Sequence, residues 1–261
     1  MSEGVVSLEV RDHVATVTLD RPPVNAVDRE ALTEIRDTFR SLSDRRDVRV
    51  AIFTAAGERA FMGGADLSSV GDRSPAELPP TVQLDSGRIA RDAMWAITDC
   101  AVPVIGAING PAIGAGVAFA ACCDMLLAAE HASFGTLEIN VGLLGASAHL
   151  SLLVGRHKAR EMFFLGEKVP AQDLERLGAV RAVVPAGELM DEAWKLASEL
   201  AGKSPIALRL AKESMNRVEG QPLKEAYRTE QDYTARLLQF EDSKEARQAY
   251  LEKREPEWRW R

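Results

Sequence analysis

Between residues 100 and 123 the chain carries no formal charge, 24 residues in succession, which is long enough either to cross a bilayer or to fill the centre of a soluble core. The breakers inside this stretch decide between the two. Pro103, Pro111 and the glycines at 106, 110, 114 and 116 would leave backbone groups unsatisfied in lipid. The segment therefore reads as a buried strand at Val104–Ile108, a tight Gly-Pro loop and a buried helix starting near Gly114, with polar residues resuming at Asp124.

The preceding sequence continues this alternation of strand and helix. Residues 5–19 alternate in polarity, with a strand expected at Val14–Leu19 after a turn at Arg11-Asp12, and Asp20-Arg21-Pro22-Pro23 stops it. Asp28 is placed to cap a helix whose apolar residues Leu32, Ile35, Phe39 and Leu42 recur at helical spacing. Residues 48–54 form a near-continuous apolar run, as in a strand covered on both faces. A glycine-bearing loop follows at 55–66, then an irregular surface segment at 67–87 with Pro75, Pro79 and Pro80. A helix is expected at 86–97, a strand at Met125–Ala129 and irregular chain at 134–145.

Beyond about Ser147 the pattern is helical, with helices expected at 159–165, 188–200, 206–218 and 223–239 and one short strand at 180–184. This is an α/β core with a helical tail. The core is expected to span residues 1–190 and the helical C-terminal region 191–261, with no linker to separate independent domains.

Charge and cysteine usage narrow the function classes. With 32 basic against 39 acidic residues the formal charge is −7, the opposite of the clustered positive charge that binds nucleic acid. Cys100, Cys122 and Cys123 have no metal-ligand spacing to the histidines at 13, 131, 149 and 157, so no structural metal is expected. The start, Met1-Ser2-Glu3-Gly4-Val5, lacks the basic and apolar regions of a signal peptide, and a reducing cytoplasm is the expected setting.

Several chemical motifs fail on inspection. Gly114-Ala115-Gly116 opens like a dinucleotide fingerprint, but Phe119 stands where its third glycine belongs. Ser147 sits in a sequence like a nucleophile elbow, but His149 replaces the last glycine. Two glycine loops survive, Gly63-Gly64-Ala65-Asp66 and residues 110–116, each between a buried strand and a helix. Small residues let a ligand approach main-chain N–H groups, so the two loops could form a two-donor oxyanion hole or be no more than tight turns. Downstream, Glu138 interrupts the apolar and small residues of 134–142, where a carboxylate could take and return a proton or be an ordinary paired glutamate.

Asp20-Arg21-Pro22-Pro23-Val24-Asn25-Ala26, residues 60–67, residues 103–110 running through Gly116 to Cys123-Asp124, residues 134–142 and Glu252-Lys253-Arg254-Glu255-Pro256 follow one another in an order and spacing that resemble the crotonase, or enoyl-CoA hydratase/isomerase, superfamily nearly end to end. The resemblance implies an α/β fold, a crotonase-like spiral of ββα units with a helical C-terminal trimerisation region, as a homotrimer or a dimer of trimers. It implies that the backbone N–H groups of Ala65 and Ala115 hold the thioester oxygen of an acyl-CoA substrate. Val24, Ala26, Ala65, Asp66, Leu67, Ser68 and Ala115 would line the substrate and coenzyme A groove. No metal or other cofactor is implied, because coenzyme A is part of the substrate. Neither nucleic acid nor membrane is an expected partner: the RNA binding that some relatives show is disfavoured by the −7 charge, and the breakers at 103–116 argue against a membrane.

The departure from the family pattern bears on the reaction. Family hydratases resemble one another in carrying two glutamates; the second matches Glu138, but the first falls on Ala118, and a methyl group cannot activate water. Where dienoyl isomerases have an Asp eight residues further on, this chain has Ala146. A single carboxylate suits proton transfer better than hydration, because one base can remove a proton from one carbon of an enolate system and return it to another. The sequence thus points to a 3-enoyl-CoA to 2-enoyl-CoA isomerase using Glu138. The alternatives are an enoyl-CoA hydratase whose missing group comes from Asn140, His149 or a side chain of residues 66–91, and a non-catalytic acyl-CoA-binding homologue.

Overall fold

The computed structural model describes residues 4–66 and 80–261; Leu67, Ser68 and most of the irregular segment at 67–87 lie outside the described residues. The chain opens with a hairpin of β1 (Val6–Arg11) and β2 (Val14–Leu19). Onto β2 are added, all in parallel, β3 (Val50–Ala55), β4 (Val104–Ile108), β6 (Met125–Ala129) and β9 (Ala182–Val184), giving a six-stranded sheet in the order β1-β2-β3-β4-β6-β9. A smaller sheet is made of β5 (Ala112–Ile113), β7 (Ser133–Gly135) and β8 (Lys168–Pro170).

Every residue of β3 is buried, and the period of two sends its side chains into different cores. Ala51, Phe53 and Ala55 face the main core with α1 (Arg29–Ser43), α3 (Arg88–Thr98) and α4 (Ala115–Ala121), whereas Val50 and Ile52 face α7 (Leu189–Ala201). On α7 the buried alanines 193, 197 and 201 recur every fourth residue, so one flat helical face lies against the sheet. Asp28 caps α1 as its position implied, its carboxylate accepting from Ala31 N at 3.0 Å.

Between β7 and β8 runs α5 (Ser147–Leu165), broken at Gly155, and α6 (Ala171–Arg176) follows β8. The C-terminal region comprises α8 (Pro205–Val218), α9 (Leu223–Leu237) and α10 (Glu241–Glu252), with a small core of its own built from Ile206, Leu210 and Tyr233. Lys212 of α8 ties this region to the main body: its buried ammonium donates to Ile97 O and Val102 O, each at 3.1 Å, and to Asp124 Oδ2 at 2.7 Å. Among the described residues, no helix is long and apolar enough to cross a membrane.

The strands and long helices fall close to their expected places, and the differences are local. The helix expected at 159–165 is the second half of α5, whose first half was hidden because its apolar pattern breaks at Gly155 (φ 73°). Helices α6 and α10 and the short strands β5, β7 and β8 went unread. Two or three residues carry no measurable period, and α10 is rich in charge along its length. The short helix α2 (Pro80–Leu84) falls inside the segment read as irregular.

Candidate active site

The two glycine loops are joined side by side. Ile113 N donates to Met62 O at 2.9 Å, Phe61 N and Met62 N donate to Pro111 O at 3.1 and 3.2 Å, and Met62 pairs with Ala112 in a parallel bridge. Ala65 and Ala115 each lie three residues beyond that bridge, so the same offset carries both alanines to the same end of the paired loops. Ala115 opens α4, and a first helical residue has no intrahelical partner for its N–H. Ala65 is bridged to Val27, but the bonds run from Val27 N to Gly64 O and from Asp66 N to Val27 O, both at 2.9 Å, which leaves its own N–H on the other side.

Phe53 sets the two loops from beneath. Its ring makes edge contacts with Phe61, just before the first loop, at 5.4 Å and with Phe119 of α4 at 6.4 Å. Beside the first loop runs the segment at 24–27, joined to it by Gly63 N donating to Val24 O at 2.8 Å. Val24, Ala26 and Asp66, expected to line the substrate groove with Ala65, thereby lie on two chain segments joined by backbone hydrogen bonds.

Glu138 begins a 3₁₀ turn, Glu138–Val141, which follows β7 after Thr136 and Leu137. Gly114 N donates to Gly135 O at 2.9 Å, which lays the loop of Ala115 against the strand that leads to Glu138. The carboxylate rests on the α-carbon of Gly114, where a side chain would collide with Oε1. Gly114 also has φ 54°, a conformation that favours glycine. Among the described residues, Oε2 of Glu138 is buried and has no hydrogen-bond partner.

The other expected positions divide. Ala118 is buried, one helical turn along α4 from Gly114, with its N–H directed to Gly114 O at 3.3 Å. Asn140 is turned to the end of α5, donating to Gly166 O at 3.0 Å, and so does not stand in for the missing carboxylate. His149 lies half-buried in the first turn of α5, where burial lowers its pKa below the usual histidine range, and no described hydrogen bond joins it to Glu138. Ser147 is exposed at the start of α5, and Ala146 caps that helix with φ 56°.

Two residues that support the groove carried no assigned role in the sequence. Asn25, 4% exposed, takes φ 53°, accepts from Arg21 N at 2.9 Å and donates to Ala56 O and Ala60 O at 3.1 and 2.8 Å. It pins one wall of the groove to the base of the first glycine loop. Arg21 reaches Asp28 Oδ2 at 2.7 Å, Asp66 Oδ2 at 3.1 Å and Ala26 O at 2.7 Å, clamping both walls. Their only signal was membership of the motif at 20–26; the partners that join them to the first glycine loop, Ala56, Ala60 and Asp66, lie 31 to 45 residues away.

An open, mainly parallel sheet carrying two adjoined glycine loops, with a carboxylate set against the second of them, is the arrangement of a crotonase-fold protein. A solved structure of an enoyl-CoA hydratase from Mycobacterium smegmatis matches it with a TM-score of 0.91 at 31% identity, over 98% of this chain and 99% of that one. The profile of the enoyl-CoA hydratase/isomerase family matches residues 9–261. The chain is 35% identical to a (7aS)-7a-methyl-1,5-dioxo-2,3,5,6,7,7a-hexahydro-1H-indene-carboxyl-CoA hydrolase of Rhodococcus jostii, over 97% of this chain and 96% of that protein. It is 34% identical to a carnitinyl-CoA dehydratase of Proteus mirabilis, over 97% and 98% of the two chains. With a short-chain-enoyl-CoA hydratase of Clostridium acetobutylicum the identity is 31%, over 97% and 96%. The chain belongs to the enoyl-CoA hydratase/isomerase family.

Proposed function

We propose that the protein is an acyl-CoA isomerase that converts a 3-enoyl thioester into the 2-enoyl isomer through an enolate. The observation that carries this reading is a carboxylate at Glu138, set against Gly114 and with no partner for Oε2 among the described residues, where Ala118, one helical turn along from Gly114, offers only a buried methyl. Glu138 takes a proton from carbon 2, and the electron pair of that bond enters the thioester. The N–H groups of Ala65 and Ala115 meet the charge that develops on its oxygen. Glu138 then returns the proton to carbon 4, and the double bond reforms between carbons 2 and 3. These steps call on no metal or redox group, and coenzyme A enters as part of the substrate.

Likeness to a dehydratase and a hydratase favours a second reading, water addition with another group in the role Ala118 cannot fill. The two readings separate on absorbance of the conjugated thioester: hydration of crotonyl-CoA lowers it, and isomerisation of a 3-enoyl-CoA raises it. The isomerase reading expects the rise without the fall. It also expects Glu138→Gln to cut turnover about 10²–10⁴-fold while acyl-CoA affinity stays within a few-fold, since the amide keeps the shape and loses the base. Turnover retained in Glu138→Gln would place the base elsewhere. The free thiols, of which Cys122 is pushed up to about 11 by burial, suit the reducing cytoplasm we assign to the protein.

A further inference from the structure

The Glu138 carboxylate is placed by contact rather than by hydrogen bonds. No described donor reaches Oε2. Gly114, at the cap of α4, lies against Oε1, and a second glycine, Gly145, lies against the same carboxylate: a β-carbon there would stand 2.8 Å from Oε1, 3.2 Å from Cδ and 3.4 Å from Cγ of Glu138. The loop that carries Gly145 wraps the same residue, since Leu143 N donates to Glu138 O at 2.9 Å. Resting on the proton-shuttle reading of Glu138, we propose that Gly145 is a positioning residue that, with Gly114, seats the carboxylate at the angle and depth proton transfer requires.

The steric argument separates stability from activity. Gly145 has no positive φ, so alanine is compatible with its backbone. The atoms that a new methyl would meet belong to the flexible end of one side chain, which can swing aside at little cost to the fold. Because the methyl would stand 3.2 Å from Cδ as well as 2.8 Å from Oε1, with Cγ at ordinary contact distance, rotation about the last bond relieves Oε1 but not Cδ. The whole end of the side chain must move, and a displacement near 1 Å is enough to cost about 10²-fold in rate.

The test uses α-proton exchange of a saturated acyl-CoA in D2O, followed by mass. In this reaction the carboxylate takes the α-proton, the C–H pair passes into the thioester, and a deuteron taken up from D2O returns to carbon 2. Gly145→Ala is expected to slow exchange and turnover about 10²-fold, with substrate affinity within a few-fold and the melting temperature close to that of the parent. Gly187→Ala, at an exposed glycine with open space around its β-position, is the matched control and should match the parent. Glu138→Asp, one methylene shorter, should cost much less in the Gly145→Ala background than alone, because it relieves the collision. Exchange by Gly145→Ala at the parent rate, or full additivity of the two substitutions, overturns the proposal. Exchange without isomerisation in the parent rejects the isomerase reading and leaves the comparison of variants decisive. A parent that exchanges no proton overturns the shuttle reading and this inference together.

Discussion

With a carboxylate at 138 against Gly114 and a methyl at 118, one helical turn along α4, restoring a carboxylate at 118 should restore a second chemistry. Ala118→Glu would place a carboxylate one turn from Gly114, near the one already resting on it. Like charges so close raise the pKa of one member, the split that an acid and a base acting on water require. Hydration of crotonyl-CoA by this variant is expected to rise well above the parent level while isomerisation stays or falls. Burying a further charge at a site only 1% exposed should cost on the order of 3 kcal/mol, so a melt must precede the kinetics. A parent that already hydrates at an enzymatic rate, with the variant no faster, would refute the role given to position 118. At this scale the sequence exposed Glu138, because a carboxylate among apolar and small residues is conspicuous. Gly145 was invisible, because its importance lies in what touches it.

The C-terminal tail behaves as a clasp on α10 and the region around it. Asp242 accepts from Arg259 N and Trp260 N at 2.9 and 3.0 Å, Trp258 Nε1 donates to Gly202 O at 3.0 Å, and the Trp260 ring packs over the Arg209 guanidinium. Glu245 holds the Arg254 guanidinium and accepts from Glu257 N, and these contacts bring its pKa down to about 2 from an ordinary 4.5. A carboxyl group whose folded pKa is depressed stabilises the fold above its ordinary value and loses that contribution as pH falls through the folded one. Tryptophan fluorescence and protease nicking of the tail should therefore change between about pH 4.5 and pH 2, and Glu245→Gln should show the loosened tail already at neutral pH. An unchanged tail in that variant would disprove the clasp. Helix α10 escaped the sequence reading because its charged residues blur the apolar stripe, and the tail around it is ordered by backbone donors that any residue type supplies.

Over the whole molecule, apolar side chains remain uncovered at several places among the described residues, and two of them form clusters along the chain. Val141, Leu144, Leu152, Phe164 and Leu165 are each more than half exposed across the 3₁₀ turn, the following loop and α5, and Tyr250 and Leu251 of α10 are 84% and 79% exposed. Surface of this kind is stabilised by partners, and closed symmetry is the usual solution for copies of one chain. We expect light scattering to return a mass of three or six copies of the 28.4 kDa chain, and Leu144→Glu combined with Phe164→Glu to lower it. A parent that stays monomeric at micromolar concentration would refute the assembly.

The sequence by itself determined the features that depend on spacing along the chain. The buried strands, the long helices, the cap at Asp28 and the two glycine loops are legible because periods of two and 3.6 and the chemistry of turns act within a few residues. The succession of motifs also identified the family. Only the tertiary structure decided which of these pieces meet. The pairing of Met62 with Ala112 joins the two glycine loops, Asn25 reaches across to Ala56 and Ala60, and Glu138 lies against both Gly114 and Gly145. Each of these contacts depends on how the sheet stacks its connections, and a carboxylate seated by two missing side chains leaves no mark in the spacing of the residues present.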